Sequence, residues 1–295
     1  MIYAFIHSQA EEYPVKLMCK MLSVSRSCYY AYVQGINEPE QAEEKEIEEQ
    51  VVKTFTAHRR RYGVRRMVPE LREQGLTIGQ HKVRRILRKH GLKAIQPRSF
   101  VPRTTDSRHP YPISPNLVSE QPFPTETDQV WVGDITYIPL KDNRWGYLAV
   151  WMDLYSRKVI GWQLQDHMRE ELVIAAFRKA CGNRDTAKGL IVHSDRGGQY
   201  AGKAFRKILQ SRNLLQSMSG KDNPYDNAFM ESYFSRFKAE LLQDGAFDNL
   251  EDAQTEIFEY IEMYYNPVRR HSALGNISPA AFERQMSCPQ KKEAG

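Results

Sequence analysis

The stretch Val130-Trp131-Val132-Gly133-Asp134-Ile135-Thr136-Tyr137-Ile138-Pro139-Leu140 decides the fold. β-Branched and aromatic residues dominate it and predict a strand over 130–140. Asp134 sits inside that strand, where a carboxylate among apolar neighbours is costly unless something pairs with it. Downstream, Tyr147–Leu154 and Lys158–Leu164 read as strands of a hairpin closed by Tyr155-Ser156-Arg157. Arg169–Cys181 reads as a helix with Leu172, Val173, Ala176 and Phe177 inward. Gly189–His193 follows as a strand, Ala204–Arg212 as a helix and Leu214–Met218 as a strand, then Ala228–Leu242 and Leu250–Tyr265 as helices. That order is α/β.

Two more carboxylates stand out by position. Asp195 follows the apolar run Leu190-Ile191-Val192 and opens the turn Asp195-Arg196-Gly197-Gly198. Ligand sites of α/β sheets form at such carboxyl ends of strands. Glu231 falls in the first turns of a helix that Asp226 or Asn227 can cap. Three carboxylates without a Cys or paired His suit a hard cation such as Mg²⁺ or Mn²⁺. Two such ions roughly 4 Å apart would leave positive charge over for a phosphodiester, activating a water or 3′-hydroxyl and stabilising the leaving oxygen. On an ideal helix Glu231, Ser235 and Lys238 share a face, so Lys238 can lie beside that phosphate.

Upstream the texture is basic. The chain has 295 residues and a net charge of +6, but residues 53–108 alone hold 16 Lys and Arg against 3 Asp and Glu. Such an excess is a footprint for a polyanion, most simply DNA. Arg65 and Arg66 precede or open a helix ending near Gln74-Gly75, in which Pro69 is expected to fall in the first turns and to shorten it. Thr77 can cap a second helix with Val83, Ile86, Leu87 and His90 on one face, stopped by Gly91. Arg84, Arg85, Arg88 and Lys89 lie off that face, as in a recognition helix lying in a DNA groove.

With these residues in place, the sequence resembles the DDE transposases of the insertion sequence 3 family, in particular the longer second-frame (orfB-type) product, and the related retroviral integrase core. The resemblance rests on Trp131-x-x-Asp134-Ile135-Thr136-Tyr137, on His193-Ser194-Asp195-Arg196-Gly197, and on Asp226-Asn227-Ala228-x-x-Glu231-Ser232, with 35 residues between Asp195 and Glu231. Tyr265-Asn266-Pro267-x-Arg269-x-His271 resembles the family's C-terminal motif, and Tyr62-Gly63-x-Arg65-Arg66 with Val83-Arg84-Arg85 its helix-turn-helix segment. The resemblance implies an RNase H-like core, two Mg²⁺ or Mn²⁺ ions held by Asp134, Asp195 and Glu231, and strand cleavage and transfer at the element's terminal inverted repeats, with DNA integration and recombination. It implies a homo-oligomer on the element ends and target DNA. It also implies a partner, or fusion partner, from the upstream frame, because no leucine-zipper heptads appear here.

The expected organisation is a small helical segment over 1–37 that can hold a helix-turn-helix, a basic DNA-binding domain over 38–94, a linker over 95–126, the catalytic core over 127–288 and a disordered tail over 289–295. The linker assignment follows from seven prolines in residues 95–127, with Arg98, Arg103, Arg108 and His109 available to a phosphate backbone. The seven Glu of residues 38–49 read as a solvated face. Mean hydropathy is −0.61 and no apolar run approaches the ~18 residues a membrane span needs, so a membrane protein is not expected. Four scattered cysteines exclude a disulfide framework and fit the bacterial cytoplasm. Trp131, Trp145, Trp151 and Trp162 read as core and Asp153 as a turn former. His193, on the strand face of Asp195, could touch substrate. Arg269, Arg270 and His271 either contact DNA or end a helix.

Overall fold

The computed structural model describes residues 2–35, 37–96, 109–119, 121–220, 227–242 and 245–287, without the side chains of 37–42. The expected tail 289–295, the linker cations Arg98, Arg103 and Arg108, and Asp226 as a helix cap lie outside the described residues. The chain forms two compact units, Met1–Ala94 and Ile95–Gly295.

The first unit is helical: α1 (Ile2–Ser8), α2 (Val15–Met21), α3 (Arg26–Val33), α4 (Asn37–Ala57), α5 (Val64–Glu73) and α6 (Gln80–Lys89). Ile6, Met18, Cys19 and Tyr29 bury together between the first three helices. Val51 and Phe55 of α4, Met67, Val68 and Leu71 of α5, and Val83, Ile86 and Leu87 of α6 are buried, each set at helical spacing. Gly75 and Gly91 take positive φ after α5 and α6, where Leu76 N–H reaches Leu71 O and Leu92 N–H reaches Leu87 O. Both helices thus end in Schellman turns that only a residue tolerating the left-handed region closes without strain.

Pro69 does not shorten α5. It lies inside that ten-residue helix, and the buried face of Met67, Val68 and Leu71 carries the turn past the hydrogen bond that proline cannot give. The α6 N-cap is Gly79 rather than Thr77. His90 is not on the apolar face; it lies exposed and bonds Glu48.

The second unit is built on a sheet of β1 (Val130–Pro139), β2 (Trp145–Asp153), β3 (Val159–Gln165), β4 (Ile191–Ser194) and β5 (Leu215–Met218), in spatial order β3-β2-β1-β4-β5. The first three strands are antiparallel, and β4 and β5 run parallel to β1. The helices are α7 (Glu170–Asn183), α8 (Gly198–Ala201), α9 (Lys203–Ser211), α10 (Ala228–Leu242), α11 (Leu250–Phe258) and α12 (Pro279–Ser287). The α/β, RNase H-like fold expected from the sequence is the one found. The helix expected over 250–265 changes pitch after Phe258 into wide π-type turns, Glu259–Tyr265. The sequence reading did not foresee α1, α8 or α12.

Alternation along β1 separates two cores. Val132 and Ile138 face Met230, Phe234 and Phe237 of α10 and Ile257 of α11. Trp131 and Ile135 face Val173, Ala176 and Phe177 of α7 and Phe205 of α9. The second layer is closed by Gly161, where an added Cβ would fall 2.5 Å from Ala176 O and 2.5 Å from Ala180 N. Backbone cannot move aside as a side chain can. Gly161→Ala is therefore expected to destabilise the protein by about 3 kcal/mol, the upper end for overpacking, read from a urea melt. A change under about 0.5 kcal/mol, the scale of a neutral surface substitution, would show that α7 does not abut β3 this closely.

Residues 109–118 run along the outer edge of β5. Met218 N–H donates to Pro115 O at 3.2 Å, Leu117 N–H to Ser217 Oγ at 2.9 Å, and Ser114 Oγ to Gln216 Oε1 at 2.9 Å. His109, expected from the sequence to lie along a phosphate backbone, instead donates from Nε2 to Arg196 O at 2.8 Å. Among the described residues no helix is long and apolar enough to cross a membrane.

Candidate functional site

The register of the parallel pair β1–β4 sets Val132 beside His193. Two residues further along stand Asp134, on β1, and Asp195, just past the end of β4, on the sheet face covered by α10. Asp134 Oδ1 accepts its neighbour's N–H, from Ile135, at 2.8 Å. Asp195 Oδ1 accepts the Gly197 N–H at 2.9 Å. A Cβ on Gly197 would lie 3.0 Å from that oxygen and 2.9 Å from Gln199 Oε1, so a larger residue there would press on the carboxylate unless the Gln199 side chain moved aside. Arg196 Nε donates to Ser219 O at 2.6 Å and ties this turn to the end of β5.

α10 supplies the third carboxylate. Met230, Tyr233, Phe234 and Phe237 bury one side of it, which turns Glu231 outward and leaves Lys238 half-buried. Electrostatics record the convergence. Burial pushes the Asp134 carboxyl well above the usual carboxylate range. The charge of Asp195 and, more weakly, that of Glu231 raise it further, against the Ile135 N–H and Lys238. Burial lowers the Lys238 ammonium and Asp134 opposes that. Asp195, Glu231 and Lys238 are therefore each within electrostatic reach of Asp134. Among the described residues no three acidic, imidazole or thiol groups already stand at metal-coordinating distance. The donors are the carboxylate oxygens that a hard divalent cation takes, and their unbalanced mutual repulsion is what such a cation would relieve.

His193 is buried, with Nδ1 2.8 Å from Ser217 Oγ and Nε2 3.3 Å from Ser219 Oγ. Buried there, it bridges β4 and β5. Tyr200 was missed by the sequence reading: its ring packs on Trp151 and Phe205, and its hydroxyl is buried without a hydrogen-bond partner among the described residues. Asp134 and Asp195 both raise the Tyr200 hydroxyl beyond the effect of burial. An aromatic in a core pattern carries no sequence signal of that neighbourhood. Asp153 does form a turn, accepting Ser156 N–H and Asp128 N–H at 2.7 Å each.

In the helical unit the candidate cations divide. Arg85 pairs with Glu44, and Lys89 with Glu48 at 2.7 Å, so the acidic run of α4 is more than a solvated face. Glu48 is held below the usual carboxylate range by hydrogen bonds from Lys89 and His90. Arg84 and Arg88 lie exposed on the other flank of α6, Arg65 is exposed on α5, and Arg66 is half-buried.

Family models described as an integrase core domain match residues 124–224 and 213–279, and one described as an HTH-like domain matches 41–100. Transposase InsF of insertion sequence IS3A from Escherichia coli K12 is 38% identical over 97% of this chain and 99% of its own length. The chain belongs to the IS3 family of transposases. The 31 kDa protein of insertion element IS600 from Shigella sonnei is 39% identical over 91% of this chain and 98% of its own. Among solved structures, a chain of the simian T-cell lymphotropic virus intasome, bound to PP2A regulatory subunit B56 gamma, is 17% identical with a TM-score of 0.46 over 73% of this chain and 69% of that one.

The IS3-family C-terminal motif is structural in its arginines. Arg269 is buried and donates from Nε to Glu240 Oε2 at 2.8 Å and from Nη2 to Glu240 Oε1 at 2.5 Å. Tyr260 Oη donates to Glu240 Oε2 at 2.9 Å. Arg270 Nη1 donates to Asn276 O at 2.8 Å. Asn266 exchanges both hydrogen bonds with the Val159 backbone, at 3.0 and 2.9 Å. The transposase thus uses this motif to tie α10 and β3 together, with the Arg269 and Arg270 side chains buried and bonded within the core.

Proposed function

We propose that this transposase cuts and joins DNA strands at the terminal inverted repeats of its element, with Asp134, Asp195 and Glu231 as the acting carboxylates. What supports the reading is that Asp195 and Glu231 both oppose the charge on Asp134, and Lys238 favours it. Asp134, Asp195 and Glu231 would hold Mg²⁺ or Mn²⁺, two ions being the expected number. Bound there, the cations would supply activation of the attacking hydroxyl and stabilisation of the leaving oxygen. The chain's own residues do the rest. The Ile135 and Gly197 N–H groups fix one oxygen of Asp134 and of Asp195. Lys238, on the Glu231 face of α10, offers its ammonium to the phosphate. The chain works as a homo-oligomer on paired ends, with an upstream-frame partner or fusion, in the bacterial cytoplasm where the element resides.

The test is strand cleavage and joining on a labelled duplex carrying the element's end, with Mg²⁺ and with chelator. The chain is assayed alone and fused to the upstream-frame product. Wild type is expected to be active in at least one form, and Glu231→Ala in neither. Metal-dependent joining by Glu231→Ala would overturn the reading.

DNA is expected to meet the helix-turn-helix on the flank of Arg84 and Arg88, since Glu44 and Glu48 engage Arg85 and Lys89. Replacing Arg84 and Arg88 by Ala should flatten the plot of log affinity against log salt by roughly 2, near 0.9 per lost phosphate contact. The Arg85 and Lys89 pair should change it by less. The opposite order would place the groove on the α4 side.

A further inference from the structure

The Tyr200 hydroxyl is a buried donor beside the carboxylates that the fold does not use. The residue is 1% exposed, and its hydroxyl has no hydrogen-bond partner among the described residues. Leaving such a group unpaired is costly, and phenylalanine would fill the same space without that cost. Phe177 and Phe205 do so in the same layer. Trp151 Nε1, also buried without a partner among the described residues, is itself a donor and cannot take the phenol proton.

Packing places the ring between the Asp195 turn and the strand that carries Asp134. Tyr200 lies in α8, and its N–H donates to Gly197 O at 3.0 Å. A Cβ on Gly197 would stand 3.0 Å from Asp195 Oδ1 and 3.6 Å from Tyr200 Cδ2, so the ring edge and that carboxylate flank one point. β4 ends at Ser194, and beyond its end the two faces of the sheet are open to each other. On its other side the ring packs edge-on against Trp151, centroids 5.7 Å apart at 88°. Trp151 lies on Gly133, the neighbour of Asp134, where an added Cβ would fall 2.5 Å from the indole. Gln216 Nε2 donates to Tyr200 O at 2.7 Å and pins the residue to β5. The charges that act on the hydroxyl are those of Asp134 and Asp195.

We propose that Tyr200 is a positioning residue, whose hydroxyl donates to the carboxylate pair Asp134 and Asp195 when both are ionised around a divalent cation. This rests on the reading that these carboxylates hold Mg²⁺ or Mn²⁺. The Ile135 and Gly197 N–H groups each fix one oxygen, of Asp134 and of Asp195. Each carboxylate has a second oxygen to orient, and a phenol O–H is a donor that brings no charge. A lysine or arginine in its place would repel the cation. A hydrogen bond to an ionised acceptor is roughly twice as strong as one between neutral groups. The phenol therefore favours the charged, cation-holding carboxylates over protonated ones.

The test reads Mg²⁺ binding by the full chain from its melting temperature, so no turnover is needed. Wild type, Tyr200→Phe, Tyr233→Phe and Glu231→Ala are melted across a Mg²⁺ series. Tyr233 is the control, because its hydroxyl is also buried without a partner among the described residues, but in the α10 core. Without Mg²⁺, both Phe variants are expected to melt at or above wild type, since each loses an unpaired buried hydroxyl. Tyr200→Phe should then need roughly tenfold more Mg²⁺ than wild type for the same rise, the lower end for removing the partner of a metal ligand. Tyr233→Phe should follow wild type, and Glu231→Ala should rise little. A Tyr200→Phe curve that matches wild type where that of Glu231→Ala does not would overturn this inference and leave the carboxylates standing. A Tyr200→Phe protein that melts clearly below wild type without Mg²⁺ would show a hydroxyl already bonded in the core, and would overturn it as well. No Mg²⁺ response in wild type, or the same response in Glu231→Ala, would sink the carboxylate reading and this inference with it.

Discussion

Asp134→Asn is expected to abolish strand cleavage and, at neutral pH, to raise the melting temperature. Asparagine keeps an oxygen for the Ile135 N–H, which Asp134 Oδ1 accepts at 2.8 Å. It deletes a charge that burial, Asp195 and Glu231 all oppose. The loss of activity follows because each carboxylate would be asked for several kcal/mol of transition-state stabilisation through the cations it would hold, about a thousandfold or more in rate. The gain in stability follows from the direction of the shift. A carboxyl raised on folding holds its proton in the native state at a pH where the unfolded chain has released it. The group's contribution to stability therefore falls as pH rises from the unfolded value through the native one, so a cost is present at neutral pH. Acidifying from neutrality should recover this cost in wild type and not in Asp134→Asn. Mg²⁺ should raise the wild-type melting temperature more than the variant's. Thermal melts across pH, with and without Mg²⁺, check both; a variant that melts lower than wild type at neutral pH would contradict the strained carboxylate.

Arg269→Ala should be the most destabilising substitution of a charged residue in the core. The Arg269 and Glu240 side chains are 2% and 4% exposed. Removing the arginine leaves a buried carboxylate that keeps the Tyr260 hydroxyl as a partner but has lost its counter-charge. Breaking a buried pair from one side costs roughly 3–5 kcal/mol. Removing both charges, as Arg269→Met with Glu240→Gln, should cost clearly less than Arg269→Ala alone, because no uncompensated ion remains. Denaturant melts of the two variants decide it. Equal loss in both would mean that the aliphatic packing of Arg269, not its charge, holds α10.

What the sequence made legible was whatever depends on local period and on motif. Asp134 in a strand, Asp195 at the end of a strand and Glu231 early in a helix needed only alternation, a Gly-rich turn and a helical face. The two Schellman stops could be read for Gly91 because a glycine follows an amphipathic run. What stayed hidden depends on partners far along the chain. Glu44 and Arg85 are 41 residues apart, and nothing in a charge run says that it faces another helix. Arg269 was left open as a DNA contact because arginine is read as surface; its burial depends on a glutamate from α10. Trp145 was read as core because tryptophan usually is, but it stands 44% exposed, its exposure set by where α7 and α9 stop. Helices as short as α1 and α8 have too few turns for a period to register.

The segment 109–118 has a practical consequence for cutting the protein into parts. Proline offers a carbonyl but no N–H, so Pro115 can quench the outward Met218 N–H without itself becoming a template for a further strand. The match to the integrase core begins only at residue 124. A fragment started there would bare the outer edge of β5, the open border along which sheets of separate molecules zip together. An isolated core should stay dispersed in solution only if it begins ahead of His109.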